Sequence, residues 1–105
     1  LDVCSLADLV PDSGVAALVD GDQVALFYLP CAKPAVFALG NYDPIGGANV
    51  MSRGIVGDLN GELVVASPLY KQHFSLRTGQ CIEQPEHQLP TWEVIIDNGR
   101  VRLAR

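Results

Sequence analysis

The chain has 105 residues, 49% of them hydrophobic and 18% charged, a balance that suits a single globular domain spanning 1–105 and excludes a disordered chain. Its net charge of -5 and its seven Lys and Arg residues exclude nucleic acid as a partner, because neutralising phosphates needs clustered cations. No apolar run approaches the roughly twenty residues that span a bilayer, and Leu1-Asp2-Val3-Cys4 lacks the charged start and apolar core of a signal peptide, so a cytoplasmic protein with no membrane partner is expected.

In chain order, Ser5-Leu6-Ala7-Asp8-Leu9-Val10-Pro11 is the one helical candidate, with Ser5 as N-cap and Pro11 stopping it within about two turns. Strands follow. The runs 15–19 and 23–29 flank Asp20-Gly21-Asp22 and read as a hairpin. Pro30 and Pro34 mark a loop before a third apolar run, 35–39, which Gly40-Asn41 ends. Within 54–67 the Asn60-Gly61 pair predicts a tight turn between two strands. Phe74-Ser75-Leu76 is a brief strand closed by Thr78-Gly79. The clearest hairpin is 92–96, Asp97-Asn98-Gly99, then 100–104, whose alternation puts Val101 and Leu103 on one face and Arg100 and Arg102 on the other. With Arg105, these arginines read as a solvated face rather than a binding patch. The sum is an all-β antiparallel sandwich or barrel without repeats or linkers. Gly46-Gly47 is no phosphate loop, because no strand-to-helix unit follows it. The start without Met points to a native segment before Leu1.

The residues able to carry chemistry are few. Cys4, Cys31 and Cys81 are isolated, with no Cys-x-x-Cys and no Cys-x-His. They read as reduced, mostly buried thiols of a cytoplasmic protein, with a disulfide between two of the three left open. Ser67 and Ser75 are near His73 in sequence, but no carboxylate partner is evident and neighbouring strand residues face opposite ways, which argues against a hydrolase. His87 reads as a solvated loop residue. Asp20, Asp22 and Asp58 occupy turns, where bonding to local backbone explains them.

The stretch Ser67-Pro68-Leu69-Tyr70-Lys71-Gln72-His73-Phe74-Ser75-Leu76-Arg77-Thr78-Gly79 resembles the second cluster-binding box of Rieske proteins, Cys-Pro-x-His followed by Phe, a strand and a Thr-Gly turn. Leu39-Gly40-Asn41-Tyr42-Asp43-Pro44-Ile45-Gly46-Gly47 resembles the first, Cys-x-His. Against those boxes the Cys positions hold Asp43 and Ser67, and the His positions hold Ile45 and Tyr70. A Rieske centre needs two thiolates on one iron and two imidazoles on the other. Ile45 has no donor atom, and the hydroxyls of Ser67 and Tyr70 bind soft iron poorly. A mononuclear site from Asp43 and Tyr70 with His73 nearby falls short of a usual ligand set. The expectation is therefore a chain with no cofactor and no metal of its own.

Asn41-Tyr42-Asp43-Pro44, Ser52-Arg53-Gly54, Ala66-Ser67-Pro68-Leu69-Tyr70-Lys71-Gln72-His73-Phe74-Ser75-Leu76 and Gly79-Gln80-Cys81 together resemble the small subunits of assimilatory NAD(P)H-dependent nitrite reductases, Rieske-like domains without the iron-sulfur ligands. The resemblance implies a Rieske-like fold with the two loops together at one end. It also implies an accessory subunit, not catalytic alone, of an enzyme whose large subunit carries sirohaem, FAD and an iron-sulfur cluster and reduces nitrite to ammonium with NAD(P)H. If the loops persist without the ligands, their end of the domain becomes a docking surface, with Tyr42, Tyr70, Lys71 and His73 as candidates; packing of the two loops on each other explains the same residues. A Rieske-type electron carrier and a non-redox binding module of similar shape are the alternatives.

Overall fold

Three dipeptides set the hairpins. Asp20-Gly21, Asn60-Gly61 and Asn98-Gly99 each place both residues at positive φ (50 and 84°, 53 and 87°, 51 and 73°). That is the backbone of tight turns whose twist matches that of the strands they join, and Asx-Gly pairs adopt it at little cost. The computed structural model describes residues 2–32 and 35–104; the expectations for Leu1, Pro34 and Arg105 lie outside the described residues.

The strands are β1 (Asp2–Ser5), β2 (Ser13–Val19), β3 (Asp22–Tyr28), β4 (Val36–Gly40), β5 (Tyr42–Asp43), β6 (Ala48–Asn49), β7 (Ile55–Leu59), β8 (Glu62–Ala66), β9 (His73–Ser75), β10 (Thr91–Asp97) and β11 (Arg100–Ala104). A six-stranded sheet runs β1-β11-β10-β4-β3-β2, a three-stranded sheet β7-β8-β9, and β5 and β6 form a small ribbon. Every pairing between these strands is antiparallel.

Strands β3 and β4 read as unbroken apolar runs because both of their faces are buried. Ala25, Phe27, Phe37 and Leu39 point into a core shared with Met51, Val65, Phe74, Leu76, Cys81 and Leu89, between the large sheet and the three-stranded one. The alternate residues Val24, Leu26, Val36 and Ala38 point the other way. They meet Leu9, Val19, Val101 and Leu103 in a second core inside the curl of the large sheet. A strand alternates sides with period two, so these two strands serve both cores at once. Val101 and Leu103 are buried as their alternation requires, Arg102 is exposed, and Arg100 bonds Asp2 across the β1–β11 edge.

Two expectations need correction. Only one 3-10 turn, Leu6–Asp8, forms where a two-turn helix was expected; Ser5 does cap it, in a reciprocal capping box with Asp8. Before it, residues 2–5 are extended and pair with β11. The thiols are free, but only Cys81 is buried; Cys4 is half-buried and Cys31 exposed. No helix among the described residues is long and apolar enough to cross a membrane.

Two glycines with similar φ test how close approach adds to backbone preference. Gly61 (φ +87°) has open space where a Cβ would stand, whereas at Gly79 (φ +79°) a Cβ would lie 2.2 Å from the Leu89 carbonyl oxygen. Gly61→Ala should cost about 1 kcal/mol through backbone strain alone. Gly79→Ala should cost about 3 kcal/mol or more, since the 89–91 backbone must move. Urea unfolding of both variants checks the order; equal losses would show that the 79–89 contact yields freely.

Candidate functional site

The two loops that resemble cluster-binding boxes meet at one end of the domain. The first is the tight connection of the β5–β6 ribbon, residues 43–48; the second joins β8 to β9, residues 67–72. Asp43 is the hinge between them. Its side chain is fully buried, Oδ1 accepts from the backbone N–H groups of Ile45 (2.8 Å) and Gly46 (3.0 Å), and Oδ2 accepts from the Ser67 hydroxyl at 2.5 Å. Ser67 Oγ in turn accepts from the Leu69 N–H, while Ser67 N–H and O bond Gln72 O and Lys71 N–H. Each loop is thus closed on itself and the pair is closed on each other.

Side-chain packing seals the same contact. A Cβ on Gly46 would lie 2.3 Å from Leu69 Cδ1, so the Leu69 side chain of the second loop lies against bare backbone of the first and would have to shift to admit a larger residue there. Ile45 turns inward and packs on the first core. Tyr42 and Tyr70 remain 52% and 65% exposed, with Leu69 at 43%. The four residues that the motif resemblance singles out therefore split by pairs. Asp43 and Ser67 hydrogen-bond directly; Ile45 and Tyr70 part company, one to the core and one to solvent.

Asn41 holds this end to the large sheet, a role the sequence reading missed. Its buried side chain donates to Gln23 Oε1 (3.1 Å) and to the Asn49 carbonyl (3.3 Å) and accepts from Ser52 N–H (2.8 Å). Its backbone bonds Gln23 and Met51. An Asn just after an apolar run that ends in Gly is ordinarily a turn residue, so only its burial distinguishes it.

His73 begins β9 beside the second loop, opposite Ala66. Its Nδ1 lies 2.6 Å from Glu83 Oε2, and its backbone N–H donates to Glu83 Oε1 at 2.8 Å. Partial burial pushes the Glu83 carboxyl up, and the two bonds from His73 outweigh it, leaving Glu83 below the ordinary carboxylate range. A carboxyl whose folded pKa is depressed adds stability above its unfolded pKa and loses it as the pH falls through the folded one. The contribution of this exposed pair is small.

Glu83 is the carboxylate partner for His73 that sequence did not show, yet neither Ser67 nor Ser75 completes a triad. The Ser67 hydroxyl bonds Asp43 and the Ser75 hydroxyl bonds Glu62. Burial pushes the Cys81 thiol up, so it stays protonated, donating weakly to Glu83. His87 is half-buried rather than fully solvated, bonded through its backbone to Gln84 and Cys81. No group of three His, Cys, Asp or Glu side chains among the described residues converges to hold a metal.

The Asp43–Ser67 bond is testable. Asp43→Ala leaves two N–H donors and a hydroxyl without acceptors and should cost about 3–5 kcal/mol. Asp43→Asn, which keeps Oδ1 and offers an N–H to a hydroxyl free to rotate, should cost about 1 kcal/mol. Urea unfolding measures both; an alanine variant no less stable than the asparagine one would show that the loops are held by packing alone.

A family model described as a Rieske-like [2Fe-2S] domain matches residues 1–104. The chain is 41% identical over 102 residues to the nitrite reductase (NADH) small subunit of Escherichia coli (strain K12), spanning 97% of this chain and 94% of that protein. It superposes on the solved structure of the E. coli protein NirD with a TM-score of 0.88 at 40% identity, covering 98% of this chain and 93% of the other. A stretch of the nitrite reductase [NAD(P)H] large subunit of Klebsiella oxytoca is 39% identical over 99 residues, 94% of this chain but 10% of that protein. The ferredoxin of carbazole 1,9a-dioxygenase from Nocardioides aromaticivorans, at 24% identity, shares the fold, with a TM-score of 0.82 over 99% of this chain and 95% of the other. The [2Fe-2S] group in the family's description does not fit the residues present. The Ser67 hydroxyl is engaged with the Asp43 carboxylate, Ile45 offers no donor, and Tyr70 is exposed to solvent. In fold, in the pairing of its two loops and in identity over almost its whole length, the chain belongs to the Rieske-like family and, within it, to the small subunits of nitrite reductase (NADH).

Proposed function

We propose that this chain is the accessory small subunit of an NAD(P)H-dependent nitrite reductase that reduces nitrite to ammonium, and that it works as a single cofactor-free domain docked on the large subunit. In this reading sirohaem, FAD, the iron-sulfur cluster and the NAD(P)H site belong to the large subunit, and the small one binds neither metal nor membrane. The observation that supports its cofactor-free part is the Asp43–Ser67 bond, because it engages the two residues that, by the motif resemblance, stand where two thiolates would hold iron. A protein without a redox centre has no electron to relay, so the electron-carrier alternative lacks its chemistry.

The Klebsiella relative supports the partnership. There a domain 39% identical to this chain is part of the polypeptide named as the large subunit, which holds the two at high effective concentration. Cytoplasmic work suits the three free thiols. The docking surface in this reading is the loop end: Tyr42 and Tyr70 expose aromatic area that a partner would bury, Lys71 is exposed beside them, and His73 flanks the second loop.

The purified chain should be colourless and free of stoichiometric iron; two irons per chain with acid-labile sulfide would reject the cofactor-free reading. Nitrite reduction by NAD(P)H should require the large subunit, with no turnover by this chain alone. Tyr70→Ala should weaken the complex by roughly 10-fold or more without lowering the unfolding midpoint, since the ring is solvent-exposed in the free chain. Calorimetric titration against the large subunit reads the affinity, and an unchanged value would move the interface elsewhere.

A further inference from the structure

Five non-glycine residues among those described have positive φ: Asp12, Asp20, Asn60, Lys71 and Asn98. Four are Asp or Asn, whose short polar side chains tolerate the left-handed region. Lys71 (φ 62°) is the exception, and it stands in the second loop of the candidate site. Its N–H donates to the Ser67 carbonyl at 3.0 Å, so loop closure itself demands the conformation. Glycine or asparagine would meet that demand with less strain. The side chain does nothing in the free domain to offset the cost: Lys71 is exposed, and its ammonium has no hydrogen-bond or ion-pair partner among the described residues.

Its electrostatic setting is equally distinctive. The chain carries a net charge of -5. Across residues 43–49 and 67–72 the only Asp, Glu, Lys, Arg or His besides Lys71 is Asp43, which is fully buried and turned onto the two loops. These two loops therefore carry one exposed cation, Lys71, on a chain of net negative charge, beside exposed Leu69 and Tyr70 and next to the His73–Glu83 pair. Such a cation orients an acidic protein toward a negative patch and selects against partners that lack one.

We infer that Lys71 is the charged anchor of the docking surface, held in a strained backbone conformation so that its ammonium meets a carboxylate on the nitrite reductase large subunit, with Leu69 and Tyr70 entering apolar surface beside that carboxylate. The inference rests on the proposed partnership and adds to it the chemistry of the partner's surface. Free-chain stability and complex affinity are set against each other at this one position.

That opposition gives the test. Lys71→Gly and Lys71→Asn should both raise the thermal unfolding midpoint of the isolated chain, by roughly 4 °C, because strain is relieved. Both should weaken binding to the large subunit by about tenfold at low ionic strength. Lys71→Arg should bind like wild type, and Lys71→Glu should bind more weakly than the neutral variants. Added salt should weaken the wild-type complex and leave the neutral variants almost unaffected. Neutral variants that bind with wild-type affinity, while Tyr70→Ala still binds poorly, would overturn the anchor and leave the loop-end interface standing. A midpoint lowered in both neutral variants would overturn the strain argument on which the anchor rests. No complex with the wild-type chain would overturn the partnership and the anchor together.

Discussion

The loop end of this molecule depends on one buried carboxyl group. Taking the Asp43 side chain out of water is costly unless donors surround it, and the fold supplies three: two backbone N–H groups of its own turn and the Ser67 hydroxyl from the opposite loop. Each donor does structural work in being satisfied. The two N–H bonds close the β5–β6 connection, and the hydroxyl bond fastens that connection to the segment between β8 and β9. Leu69 then lies against Gly46, and Ile45 is left facing the core. Removing the carboxyl would disturb two loops and three otherwise satisfied donors, not one contact.

What distinguishes this arrangement from a redox site is its scale. Two thiolates that share one iron are held apart by that iron, which stands between their sulfurs. Here the Asp43 and Ser67 side-chain oxygens are 2.5 Å apart, a separation that admits a proton and nothing larger. A fold and the chemistry grafted on it are separable, and in this chain the Rieske-like frame persists on hydrogen bonds where its relatives' description names a metal group.

The sequence made the frame legible where local chemistry settles the matter. Asn60-Gly61 and Asn98-Gly99 announce hairpins because few other dipeptides enter positive φ twice so readily, and the alternation through Val101 and Leu103 announces a buried face. The doubly buried strands β3 and β4 were visible as runs, but not that they divide their residues between two cores. Strands β5 and β6 are two residues each, too short for any period to register. Strand β1 was obscured by a genuine N-cap at Ser5, whose signal reads as a longer helix when the pairing with β11 is unseen. At the site, the two segments 43–48 and 67–72 were legible as motifs in the sequence, and the fold brings them together. Asn41 with its three side-chain bonds and Glu83 with its hold on His73 were not, since both act through contacts that only the folded chain creates.

The bonds of Asn41 have a consequence beyond holding loops in place. By joining Gln23 on β3, Asn49 on β6 and the backbone of Ser52, one side chain ties the first loop to the large sheet, while Asp43 ties the second loop to the first. Exposed aromatic residues on free loops would lose conformational entropy whenever a partner ordered them, at about 1–2 kcal/mol for each backbone residue fixed. Here that ordering happens when the chain folds. In the docking reading proposed above, a surface ordered before encounter would bind with a smaller entropic penalty, and would also be less able to reshape itself to fit a partner of a different contour.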